Sequence, residues 1–279
     1  MTISTEKIYI WCGPFATVVF LAGMAVAGLI PPPAPSQSAV DLAAFYAGHQ
    51  HQIQIGLIIA LFGAALWIPW LAKLAVALKD LAGPGSAVGY TQLVFGAFFA
   101  FGAFLPLILL EVAVFRADRP PAEVQAWSDG CWLVFTGFVY TFVVELLLSA
   151  LTIASDPRAR PTFPKWVAYF DVVLAAANVV PAFVLADQSG PFAWNGIVSY
   201  WIVIGLDVVW IAFTTVYLLR AEDRTDADSV AIVGSSPARR WVFRHEVAEV
   251  CWTDTRCHRA SVAVARLLGH ESAATTLNH

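Results

Sequence analysis

Charge is what this sequence has least of. Asp, Glu, Lys and Arg make up 13% of its 279 residues, where a soluble globular domain carries roughly 25%. A water-soluble fold is thereby excluded: with 59% hydrophobic residues there is too little polar surface to cover the outside. The net charge of −4 is small and dispersed, which gives no footing for nucleic acid as a partner. Four cysteines are present. Cys12 and Cys131 fall near opposite faces of the predicted topology, and Cys251 and Cys257 fall in a reducing compartment, so no disulfide is expected. Also missing are a Gly-rich phosphate loop, a His-Glu-x-x-His helix and a Gly-x-Ser-x-Gly elbow. Without these, no catalytic set can be named and no cofactor is implied.

What the chain has in abundance is long apolar runs. A hydrocarbon layer about 30 Å thick asks for roughly 20 apolar residues per helix. Runs of that length and nearly free of charge cover residues 8–30, 53–78, 88–115, 131–154, 166–186 and 197–219. Backbone amides cannot stay unpaired in lipid, and the runs lack the alternation of barrel strands, so helices are expected. The predicted fold is all-α: a polytopic membrane domain of six spans over 1–220, followed by a polar, partly disordered tail over 221–279. The first run is longer than the apolar core of a signal peptide and no small-residue cleavage site follows it, so it is taken as a mature span.

Lys7, Lys73, Lys79, Arg158, Arg160, Lys165, Arg220 and Arg224 flank the runs on one side, against Arg116 and Arg119 on the other. The richer side should be cytoplasmic, which puts both termini there. Trp11, Trp67, Trp70, Trp127, Trp132, Trp166 and Trp194 lie near run ends, where an indole suits the headgroup layer.

Between the first two runs, Pro31-Pro32-Pro33-Ala34-Pro35 is a stiff, extended exit. Ser38 and Asp41 then have the spacing of a helix cap, predicting a short interfacial helix that lays Val40, Ala44, Phe45 and the ring of Tyr46 on the surface before a turn at His49-Gln50-His51. Pro69, Pro106 and Pro181 fall inside runs, where each removes a backbone hydrogen bond and kinks the helix. The first three runs do not repeat in the last three, so an inverted-repeat transporter is not indicated.

Chemistry is expected where polar groups enter lipid at a cost. Glu145, Asp171, Asn178 and Asp207 lie within runs four to six, and Glu111 lies nearer the end of the third. Each should face protein or water. At about 1.5 Å of rise per residue, Glu145 and Asp171 fall in the cytoplasmic half, with Asn178 and Asp207 closer to the midplane. These four are the candidate site for a proton, a cation or a polar headgroup, with Lys73 as the possible cationic partner. The alternative is that they only hydrogen-bond neighbouring helices. His49 and His51, one residue apart, offer a weak metal pair.

Two resemblances follow from short motifs. Residues 265–279, with Leu268-Gly269-His270, resemble the box near the end of tyrosine recombinases (phage-type integrases). On that resemblance His270 matches an active-site histidine, yet no nucleophilic tyrosine follows, and His245 is followed by Glu246-Val247-Ala248 rather than a His-x-x-Arg box. Recombinase activity is not expected. A remnant of a neighbouring gene or a frameshifted terminus is the expected source of this stretch, with a chance amphipathic helix near 261–268 as the alternative.

The membrane portion resembles a group of uncharacterised six-span bacterial inner-membrane proteins through Cys12-Gly13-Pro14, Pro31-Pro32-Pro33, Tyr90-Thr91-Gln92, Phe115-Arg116-Ala117-Asp118-Arg119 and Ala193-Trp194-Asn195-Gly196. That resemblance implies six spans over about 8–220 and no particular activity. The expected function is to bind or move a small hydrophobic molecule among membrane lipids. A membrane-embedded enzyme or cofactor protein acting on a lipid-like substrate, and a structural subunit, are the alternatives. The sequence leaves oligomeric state open.

Overall fold

The computed structural model describes residues 4–180, 184 and 188–235. Outside the described residues lie Pro181, Asp187, the two cysteines and His245 of the tail, and the whole recombinase-like stretch with His270. Contacts divide the chain into two compact units, Met1–Glu222 and Asp223–His279.

Helix α1 (Thr5–Val26) starts at Ser4, whose hydroxyl accepts a hydrogen bond from the Lys7 amide at 3.4 Å. Its end is set by backbone geometry rather than hydropathy. Gly28 takes φ +69°, the left-handed conformation that only glycine adopts without strain. The Leu29 amide then returns to the Met24 carbonyl and the Gly28 amide to that of Ala25, both at 3.0 Å. This pairing satisfies carbonyls that the helix end would leave open. The predicted span over 8–30 is therefore too long at its end: Leu29 and Ile30 are apolar but not helical.

Helix α2 (Ala39–Gly48) has Ser38 as its cap. The Asp41 amide donates to the Ser38 oxygen at 3.2 Å, and the Ser38 hydroxyl donates to the Asp41 carboxylate at 2.6 Å. Val40 is exposed as expected, but Tyr46 is not on the surface. It is buried, and its hydroxyl meets that of Ser128 at 2.8 Å.

Helix α3 (Gln50–Ala82) follows directly and ends at Gly83, φ +84°. Its 33 residues span about 50 Å, so it is longer than the hydrocarbon layer is thick. Helix α4 (Val88–Val114) matches the predicted run closely. Helices α5 (Pro121–Gly137) and α6 (Tyr140–Ala154) form one interrupted crossing that begins well before residue 131. Pro121 opens it in the first-turn position that proline favours. Glu123 and Asp129 in its first half hide it from a search for charge-free runs.

Helix α7 (Lys165–Val179) comes next. A π-helical turn (Ile197–Ile202) then leads into α8 (Val203–Ser235). The change of composition after Leu219 is the expected end of the membrane domain, and the helix does not stop with it. Helix α8 continues because Arg, Ala and Glu are good helix formers and polarity ends a span, not a helix.

All described residues are helix, turn or coil, with no strand among them. Five helices are long and apolar enough to cross a membrane: α1, α3, α4, the joined α5–α6, and residues 197–225. The exposed residues Val18, Ile58, Phe62, Phe98, Leu151 and Val173 cover the outside of the bundle with hydrocarbon, which suits lipid and not water.

The tightest seam joins α1 to α3 through small residues. A Cβ on Gly23 would collide with the Ala60 backbone, and one on Gly63 with the Phe20 backbone. This close approach replaces the hydrophobic drive that lipid cannot supply. Trp11, Trp127 and Trp166 are exposed, as headgroup anchors should be. Trp67, Trp70, Trp132 and Trp194 are instead buried, because position near a run end says nothing about which face of a helix an indole occupies.

Ties between elements set the two ends of the bundle. At one end the Lys165 ammonium donates to the carbonyls of Ile153, Ala154 and Asp156 at 3.2, 2.5 and 2.9 Å, so α7 starts where α6 finishes. At the other end the Trp194 indole N–H donates to the Pro33 carbonyl at 2.7 Å, joining the loop before α8 to the loop after α1.

Candidate functional site

Irregular backbone is tolerated at membrane depth only where it is covered by protein or lines a cavity. Irregular backbone occurs at the interruption at Phe138 and Val139 and at the π-helical turn before α8, and one cavity of about 140 Å³ borders both. Its walls come from α1 (Phe20, Leu21), α3 (Trp67), α4 (Phe99, Ala103), α5 and α6 (Phe135, Phe142), and the α8 segment (Val203, Ile211). The aromatic rings form a continuous row: Phe20 to Trp67 with centroids 5.0 Å apart, Trp67 to Phe99 at 5.5 Å, and Phe99 to Phe142 at 4.9 Å.

Polar side chains on this wall are Thr17, Thr136, Asn178, Ser199, Tyr200 and Asp207. Most are already satisfied by the protein. Thr17 donates to the Gly13 carbonyl at 3.0 Å and accepts from the Trp67 indole at 3.1 Å. Thr136 donates to Trp132 O at 2.6 Å, and Ser199 to Phe192 O at 2.9 Å. The Asn178 amide nitrogen donates to Leu174 O at 3.0 Å and, at 3.4 Å, to one oxygen of the Asp207 carboxyl. What is left is the second Asp207 oxygen, the Asn178 amide oxygen and the Tyr200 hydroxyl, none of which meets a partner among the described residues. Tyr200 as a whole is buried.

Glu145 and Asp171 do not line this chamber. Glu145 is fully buried between α4 and α6, where the Gln92 amide donates to its Oε1 and the Ser149 hydroxyl donates to Gln92 at 3.2 Å. The other Glu145 oxygen is without a partner among the described residues. Asp171 accepts from the Trp210 indole at 3.0 Å. Trp210 packs on Trp70 (5.2 Å) and on Phe142 (5.4 Å), so the chamber wall touches the ring that holds Asp171. A void of about 10 Å³ lined by Ser149, Asp171, Trp210 and Thr214 lies there, room for about one water molecule.

The four predicted residues thus fall into two groups, with Asn178 and Asp207 in the chamber and Glu145 and Asp171 outside it. Lys73 joins neither. Its ammonium pairs with Glu6 at 2.6 Å and with Glu222 at 2.8 Å, binding α1, α3 and α8 together at their common end. The expectation of Lys73 as partner to the intramembrane acids is corrected by that geometry: an ammonium on a long stem reaches the end of the bundle, where it is less costly to desolvate.

His49 donates through Nδ1 to the Phe45 carbonyl at 2.9 Å and packs on the Phe45 ring, while His51 is exposed. Among the described residues no group of three or more His, Cys, Asp or Glu is placed to hold a metal ion. Glu111 accepts from Gln54 at 3.0 Å.

Sequence reasoning missed Tyr200, Trp67 and Gln92. Trp67 was assigned to the headgroup layer, and the Tyr200 hydroxyl is unremarkable until its surroundings are known. Gln92, a full amide near the start of a span, carried the same signal as Asn178 and was legible. No family model matches the chain, and neither a curated protein nor a solved structure is similar to it.

Proposed function

We propose that this chain is a six-span protein of a bacterial inner membrane, with both termini cytoplasmic, that binds or moves a small, largely apolar molecule in the chamber between α1, α3, α4, α6 and α8. The observation that carries this reading is the chamber itself: about 140 Å³, walled by aromatic rings, with its threonines and serine turned to backbone carbonyls. Ligand sites are concave, mostly apolar and furnished with a few polar groups. Engineered apolar cavities of about 150 Å³ take up benzene.

The sixth span is supported by the two ties at opposite ends. Lys165 stands beside the end of α6 and Trp194 beside the exit of α1, an arrangement that fits a sixth crossing. The cytoplasmic assignment is supported by the distribution of Lys and Arg.

Titrating toluene into the full chain, reconstituted in phosphatidylcholine discs, tests the ligand reading by calorimetry. Saturable binding at one site, lost on Ala103→Trp, is the expected result. Binding that is absent, or unchanged in the filled variant, would remove the chamber from consideration.

A further inference from the structure

We infer that the molecule taken up by the chamber is a small primary amine carried as its ammonium, with Asp207 as its counter-charge. This rests on the chamber being a ligand site and names the class of ligand it selects. The three open polar atoms of the wall are the second oxygen of Asp207, the amide oxygen of Asn178 and the hydroxyl oxygen of Tyr200. All three can accept. Both amide hydrogens of Asn178 are directed elsewhere, to Leu174 and Asp207, and a carboxylate has none to give. A ligand that satisfies this set has to bring donors, and an ammonium brings three.

Charge points the same way. Among the described residues no Lys, Arg or His lines the chamber, and Lys73 is committed to Glu6 and Glu222. A ligand cation would supply the opposite charge that the fold withholds from Asp207, whereas an anion would meet a like charge in a medium of low dielectric constant. The wall also carries the aromatic rings of Phe20, Trp67, Phe99 and Phe142, a residue type whose π-system can attract a cation. The volume limits the remainder of the molecule to about one six-membered ring.

The test titrates benzylamine, benzyl alcohol, toluene and benzoate into the full chain in phosphatidylcholine discs, where the lipid carries no net charge to attract the amine. Benzylamine is expected to bind about tenfold or more tightly than toluene, a charge-assisted hydrogen bond being worth that much, and benzoate not at all. Asp207→Asn should remove the preference for the amine and leave toluene binding in place, while Asp207→Glu restores it. If the Asn variant fails to fold, Tyr200→Phe serves instead, with benzylamine weakened several-fold and toluene unaffected. Toluene or benzyl alcohol binding as tightly as benzylamine would overturn the amine while leaving the chamber a ligand site. Four silent titrations would overturn both.

Discussion

Lys165 closes a helix that it does not belong to. The last turn of α6 leaves carbonyls without intrahelical partners, and the ammonium at the start of α7 collects those of Ile153 and Ala154 together with that of Asp156. A cation at a helix C-terminus also meets the negative end of its dipole. Lys165→Met keeps the stem and removes the donors, and should lower stability by about 1–3 kcal/mol. Unfolding in mixed micelles would register it, along with faster amide exchange in the last turn of α6.

Just beyond the end of α6, burial pushes the Asp156 carboxyl up, but three hydrogen bonds from the Arg158 guanidinium and one from its amide outweigh that, and the group titrates below the ordinary value of 3.8. A depressed carboxyl stabilises the fold above its unfolded value and loses that contribution as pH falls through the folded one. Stability measured from about pH 5 down to pH 2 should therefore fall less steeply in Asp156→Asn than in the native chain. That Glu145, Asp171, Asn178 and Asp207 should turn away from lipid was legible in the sequence, because lipid penalises them wherever they sit. Which of them share a cavity was not, since this depends on depth and rotation of three helices. Lys73 was misassigned for the same reason.

At the scale of the helix, the α1–α3 seam carries the strongest expectation. A Cβ on Gly56 would fall on the backbone of Gly23 and Ala27, and neither can give way without parting the helices. Gly56→Leu should cost about 3 kcal/mol or more, at the upper end for overpacking, and should show as loss of folded protein on extraction. Gly130 in α5 is the control: nothing lies within 4 Å of its would-be Cβ. Gly130→Ala is expected to be neutral, or to stabilise by about 0.5–1 kcal/mol through helix propensity. If both variants behave alike, the seam is not what holds α1 in place.

Hydropathy located α3 and α4 well because long charge-free runs and helices coincide there. It missed the end of α1, which Gly28 decides, and the start of α5, which Pro121 and two acids conceal, while α8 runs on through charge past the end of its apolar run. Apolar length reports where lipid is, and the caps report where helices stop.

For the whole molecule the parity of the crossings is the open quantity, because it decides whether the two ends of the chain share a compartment. Helix α7 has 15 residues, about 22 Å, short of the hydrocarbon thickness. Were it to turn back, five crossings would leave residue 224 on the same side as the loop over 31–52. The Trp194–Pro33 hydrogen bond argues against a return: it holds the start of the last crossing at the end where α1 emerges, opposite to Lys165. On the six-span proposal, residue 224 would lie across the membrane from the loop over 31–52. Epitopes inserted after residue 224 and within 31–52, probed with an impermeant reagent on intact and inverted vesicles, separate the two cases. Protection of opposite sign at the two sites is expected, with 224 protected in intact cells because Lys and Arg accumulate on its side. Equal accessibility would mean that α7 does not cross, and would detach Asn178 from the depth at which Asp207 lies, taking the proposed ammonium site with it.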